Sequence, residues 1–201
     1  MTQPLVLACG ALVAELRAVL AANGMTEHVE VRYLPANLHN RPERIVPALR
    51  ELLADADPDG ERTVLIGYAD CGSGGDLDVL LAERPNLRRL PGDHCYEFFA
   101  GSQVFHDMAE AELGTFYLTD FLAKHFRALI WEGLGLDRHP ELRYAYFGHY
   151  TRVMLLSQTT SPAVVDAGMA AAEQLGLRFE HVHVGIEPFQ QAVAVSLGTV
   201  A

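Results

Sequence analysis

The chain has 201 residues, 50% of them hydrophobic and 20% charged, a composition that excludes disordered, collagen-like and low-complexity architectures. Fifteen Lys and Arg against twenty-six Asp and Glu leave a net charge of −11, so nucleic-acid backbones and anionic membranes are not expected partners. Three cysteines are too few, and odd in number, for a disulfide framework, which points to a reducing, cytoplasmic setting where they serve as free thiols or metal ligands.

Val6-Leu7-Ala8-Cys9 mimics the box before a lipidated cysteine. No Lys or Arg precedes it and Glu15 and Arg17 follow at once, so lipidation is not expected. No window of about eighteen apolar residues exists to predict a membrane span.

Leu5–Ala8 reads as a strand, followed by a helix with Leu12, Leu16, Val19 and Leu20 on one stripe and a stop at Gly24. Val29–Tyr33 is a second strand, followed by the loop Leu34–Pro42 and a helix marked by Ile45, Leu49, Leu52 and Leu53. Thr63–Tyr68 is the clearest strand and runs into Asp70-Cys71-Gly72-Ser73-Gly74-Gly75 and a further helix; Leu87–Leu90 makes a weaker fourth strand. This alternation predicts a three-layer α/β fold with a mostly parallel, doubly wound sheet. Residues of about 96–134 read as a mainly helical insertion, with the extended stretch Gly114–Thr119 inside it. The strand–helix rhythm resumes with Arg152–Leu156, Pro162–Leu175 and Arg178–Val184, and no linker divides the chain, so one domain over 1–201 is expected.

Cys9, His39, Cys71 and Cys95 each follow one of the first four strands. In an open parallel sheet the carboxyl ends form one rim, where ligands bind at the point where strand order reverses. Three sulfurs and an imidazole are a plausible tetrahedral shell for zinc, and a Cys₂His subset leaves a position for substrate. The plainer reading is that each cysteine is a small apolar filler. A third reading is a reactive thiolate whose pKa is lowered by His39 or His94.

Cys9-Gly10, Leu38-His39-Asn40-Arg41-Pro42, Tyr68-Ala-Asp-Cys71-Gly72, Cys95 ahead of Gly101-Ser102, and Gly114-Thr-Phe-Tyr-Leu-Thr119 follow one another in the order found in the family called domain of unknown function 1638. Over most of its length the chain resembles that bacterial and archaeal family. The family pattern places His-Asp before the third cysteine, where this chain has Asp93-His94. The resemblance implies a common site at Cys9, His39, Cys71 and Cys95 without naming its chemistry.

The Gly72–Gly75 loop, with Ser73 and Gly74, can offer N–H groups to an anion; it matches neither a phosphate-binding loop nor a dinucleotide fingerprint. Arg41, beside His39, can clamp a carboxylate or phosphate, and Arg44 reads as surface charge. Ser102, Tyr117, Thr119 and Asp120 are further polar candidates for a pocket lining, Thr119 with helix capping as its alternative. Asp70, Asp93 and Glu15 are candidate general acids or bases, provided burial brings their pKa values near neutrality. His149 and Tyr150 precede a strand and so belong to an opposite rim. His181 and His183 share one strand face and read as a solvated surface. Trp131, with Phe121, Phe126 and Ile130, reads as helical packing with a possible homo-oligomer contact. The leading expectation is a zinc enzyme acting on a small molecule by thiol or alkyl transfer or by hydrolase or lyase chemistry. A non-catalytic metal- or cofactor-binding accessory protein and an iron–sulfur protein are the alternatives.

Overall fold

Apolar runs in the first ninety residues form four parallel strands: β1 (Leu5–Cys9), β2 (Glu30–Leu34), β3 (Val64–Gly67) and β4 (Leu87–Arg89), in the spatial order β2-β1-β3-β4. The computed structural model from which this is read describes residues 2–198. The chain divides into two compact units, Met1–Phe98 with Phe189–Ala201, and Phe99–Pro188.

In the first unit, helices α1 (Val13–Ala22), α2 (Ile45–Ala56) and α3 (Asp76–Glu83) connect the strands. Leu5, Leu7, Val64 and Ile66 on one sheet face pack with Ile45, Leu49 and Leu53 of α2 and Leu77 and Leu80 of α3 in a single buried cluster. Val6, Ala8 and Leu65 alternate onto the other face and are equally buried. The crossover from β1 runs to that face, because right-handed crossovers in opposite directions along a sheet lie on opposite sides. There α1 packs on α9 (Glu187–Leu197), with Val19 and Leu20 beside Val193, Ala194 and Leu197. At Gly67 a Cβ would lie 2.7 Å from the Ala8 Cβ, so β1 and β3 approach closely just before their carboxyl ends. Helix α4 (Cys95–Ala100) follows β4.

The second unit has its own parallel sheet, in the order β5-β6-β7: β5 (Thr115–Leu118), β6 (Arg152–Ser157) and β7 (Arg178–His183). The stretch expected as extended chain within a helical insertion is thus a paired strand, Phe116 opposite Val153 and Leu118 opposite Leu155. Helices α5 (Ser102–Ala111), α6 (Asp120–Lys124), α7 (Leu142–Phe147) and α8 (Pro162–Leu175) complete the unit, with a π-turn at Arg127–Trp131. On one sheet face Leu155 and Phe179 press against Gly168 of α8, where a Cβ would stand 2.9 Å from the Phe179 ring. On the other, the Tyr117 ring packs at a tilt against Phe105 of α5, with centroids 5.1 Å apart. Arg152, 7% exposed, donates to Glu180 at 2.5 Å and to Thr115 Oγ1 at 2.7 Å, so its buried charge is paired. Ile130 is buried in the π-turn and Trp131 half-buried. No helix among the described residues is long and apolar enough to cross a membrane.

Candidate functional site

Strand order in the first sheet reverses between β1 and β3, since the chain passes from β1 outward to β2 and then back across β1 to β3. Cys9 is the last residue of β1, and Tyr68-Ala69-Asp70-Cys71 leaves β3, so two of the three thiols flank the crevice at the reversal. Cys9 and Cys71 are half-buried against the α2/α3 cluster, which includes Tyr68. Cys95 opens α4 after the turn Pro91–His94. That turn is stitched to the β3 exit: Asp70 N donates to Gly92 O at 3.1 Å and Cys71 N to Asp93 O at 2.8 Å.

The loop after β2 closes the group from the other side. Cys9 is followed by Gly10, where a Cβ would meet Leu34 O at 2.8 Å and Ala36 N at 3.2 Å, and Ala36 begins the turn Ala36–Asn40 that carries His39. Gly72, beside Cys71, would place a Cβ 3.4 Å from Pro42. The His39 loop therefore lies between the neighbours of two cysteines.

Each sulfur meets backbone N–H groups: Ala11 N donates to Cys9 Sγ at 3.4 Å, and the Cys71 sulfur faces the N–H groups of Ala69 and Cys95. Burial nonetheless dominates. It raises the Cys9 thiol, pushes Cys71 up to about 12 with the Cys9 charge adding to it, and raises Cys95 well above the ordinary thiol value, with Cys71 and Cys9 contributing. The three thiols thus lie within electrostatic reach of one another. The expectation of a thiol pKa lowered by His39 or His94 is corrected: desolvation outweighs every favourable contact. Tyr68 sets its buried hydroxyl against Cys9; burial and then the charges of Cys9 and Cys71 drive its pKa upward.

Cys71 is the single non-glycine among the described residues with positive φ, at 51°. A side chain in the left-handed region costs of order 1 kcal/mol, and such strain clusters at functional positions. Gly72, Gly74 and Gly75, also at positive φ, continue the turn.

His39 is exposed to solvent, and desolvation of its ring by the surrounding protein, together with the charge of His94, holds its pKa below the ordinary imidazole value. His94, whose charge contributes to that shift, immediately precedes Cys95. Asp70 has a structural post. It accepts from Ser73 Oγ at 2.6 Å, Gly75 N at 3.0 Å and Gly74 N at 3.3 Å. Burial pulls its pKa up, but these bonds outweigh that and hold it below the usual carboxylate value, opposite to what acid–base work at neutral pH needs. The same bonds occupy the Gly74 and Gly75 N–H groups that the loop was expected to offer to an anion. Asp93 is exposed, and its N–H donates to Glu97. Glu15 is buried in the first turn of α1, within reach of Tyr33 on β2. Arg41 and Arg44 are exposed.

Ser102, Tyr117 and Thr119 belong to the second unit. Tyr117 is 9% exposed and packs on Phe105, while Thr119 caps α6, its Oγ1 accepting Leu122 N at 3.3 Å. Asp120 is buried and accepts from Gln158 N at 2.9 Å and Thr159 N at 3.1 Å, which braces the loop after β6. Sequence reasoning carried Tyr68 only as the first residue of the motif that ends in Cys71-Gly72 and gave it no role; its place just after β3, three residues before Cys71, was the signal for one.

Among the described residues, no group of three or more His, Cys, Asp and Glu side chains stands in an arrangement that could hold a metal ion. No curated protein and no solved structure matches the chain. The model of a family described as "Protein of unknown function (DUF1638)" matches residues 33–193, which include His39, Cys71 and Cys95 and do not reach Cys9. With four-fifths of its length so matched, the chain belongs to that family.

Proposed function

We propose that the protein is a cytoplasmic, thiolate-metal enzyme that binds a small molecule at the strand-order reversal of its first sheet. Cys9, Cys71 and Cys95 are the donors, with imidazole supplied from the same rim by His39 or His94. The observation that carries this reading is the gathering of all three thiols of the chain around one crevice, each within electrostatic reach of the others. Three half-buried, desolvated thiols with raised pKa values are protonated at neutral pH unless a cation compensates their charge, and a zinc-class ion bound by thiolate is the chemistry that ionises them. Closing a shell around one ion requires rotation of cysteine side chains, because the metal-free arrangement is not that of a ligand set.

Transfer of a thiol or alkyl group is the reaction class favoured over hydrolysis. A metal with several thiolate ligands is electron-rich and activates a bound thiol well, whereas hydrolysis needs a base, and Asp70 is held ionised in the service of its own loop. Tyr68 would donate its hydroxyl to the Cys9 sulfur and steady its charge.

Metal analysis and an absorption spectrum of protein purified without oxygen test the proposal. Stoichiometric zinc without colour is expected. Iron with a broad visible band would replace the zinc reading with an iron–sulfur one, and protein that neither carries nor takes up metal would overturn both.

A further inference from the structure

The second sheet carries a donor set of its own at its carboxyl end. Ser157 is the last residue of β6 and is fully buried. Its hydroxyl lies 2.8 Å from His181 Nε2 and 3.1 Å from His183 Nδ1. Register explains the convergence. Ser157 pairs with His183 and Leu155 with His181, so all three side chains project from the face that Leu155 and Phe179 press onto α8. His183, on the adjacent rung, reaches Ser157 with its near ring nitrogen; His181, two residues back, reaches it with its far one. Both histidines are exposed.

The platform beneath is fixed at several points. Ser157 O accepts Val184 N at 2.9 Å and Gly185 N at 3.3 Å. Asp120 holds the next two residues through the Gln158 and Thr159 N–H groups, and Asp120 N donates to Gln158 Oε1 at 3.1 Å. Two aromatic nitrogens and one oxygen are therefore presented by rigid elements, open to solvent on one side.

We propose that His181 Nε2, His183 Nδ1 and Ser157 Oγ form a binding site for a divalent zinc-class ion, with water in its remaining position. Donor atoms about 2.0–2.1 Å from a tetrahedral ion stand roughly 3.3 Å apart. The observed O–N separations of 2.8 and 3.1 Å would open by about 0.5 and about 0.2 Å, with both rings turning their lone pairs from the Ser157 hydroxyl toward the ion. Without metal, one ring nitrogen accepts the Ser157 O–H and the other donates N–H to its oxygen. On metal binding the donating ring moves its proton to its other nitrogen, so neutral imidazoles bind without net proton release. Imidazole nitrogens suit Zn²⁺, Ni²⁺ and Cu²⁺ more than Mg²⁺ or Ca²⁺.

The test is a titration of the chelator-stripped full chain with zinc chloride. The proposal predicts one zinc equivalent that persists in Cys71→Ser and is weakened at least about tenfold in His181→Ala and in His183→Ala, with a smaller loss in Ser157→Ala. In the unsubstituted protein, zinc should move the imidazole NMR resonances of His181 and His183 together, a readout that needs no variant to fold. Resonances that stay still at saturating zinc, or an unchanged zinc stoichiometry in the His181→Ala/His183→Ala double variant, would overturn it. Failure of the thiol site leaves this result standing, because Cys71→Ser retains both imidazoles.

Discussion

The two parallel sheets end in rims of opposite character. In the first, the order β2-β1-β3-β4 reverses, and the rim is made of sulfur atoms drawn from loops up to eighty-six positions apart. In the second, β5-β6-β7 runs in chain order, and the rim is made of a serine and two histidines on neighbouring strands. The first rim is soft, desolvated and backbone-strained at Cys71; the second is harder in its donors and solvent-facing. A reversal opens a crevice that loops must fill, which permits distant residues to meet. A sheet without one offers only what adjacent rungs supply, and there register alone builds the group.

Removing the braces of each rim should expose this difference. Asp120→Ala strips the second rim of the carboxylate that holds the Gln158 and Thr159 N–H groups. The buried donors left behind should cost about 3 kcal/mol in urea unfolding. Gly67→Ala forces β1 from β3 behind Cys9, and overpacking against backbone and Ala8 should cost about 2 kcal/mol. Gly168→Ala meets the Phe179 and Leu155 side chains first, at 2.9 and 3.2 Å, and gains helix propensity, so a loss of about 1 kcal/mol is expected. Cys71→Gly should be more stable than Cys71→Ala by about 1 kcal/mol, since glycine adopts φ 51° without strain. Equal stabilities would show that the left-handed turn is not under tension.

The titrations should separate the rims further, with smaller effects. Cys71 has its thiol pKa raised in the fold. In metal-free protein its contribution is therefore complete below the unfolded thiol value of about 8.5 and is lost as pH rises toward 12. His39 is shifted the other way. Its contribution is present above about pH 6.5 and is lost as pH falls through the lower folded value. Urea midpoints at about pH 5, 7 and 10 measure both, and a midpoint unchanged between the upper two would contradict the burial of the thiols.

Much of the first sheet was legible because its strands are apolar runs flanked by helical stripes, and because every cysteine follows such a run. The parallel pairing of Leu5–Cys9 with Glu30–Leu34 and Val64–Gly67 agrees with that reading. The second sheet was not legible as a separate one: Thr115–Leu118 has four residues, and its partner lies thirty-seven positions away. Periodicity reports which residues are extended and is silent on which strands share a sheet. His181 and His183 show the same limit. Their alternation gave a common face correctly, but the buried hydroxyl that joins them comes from β6. Asp70 failed as an acid–base candidate for a local reason, since Ser73, Gly74 and Gly75 turn back to donate to its carboxylate.

The central claim is that Cys9, Cys71 and Cys95 are one site. Anaerobic titration of the full chain with cobalt(II) tests it directly, because sulfur-to-cobalt charge transfer reports thiolate ligands and is absent from a site of imidazole and hydroxyl alone. The account predicts a charge-transfer band that saturates at one equivalent and is diminished or lost in each of Cys9→Ser, Cys71→Ser and Cys95→Ser. No such band, or one that survives unchanged in all three variants, would contradict it.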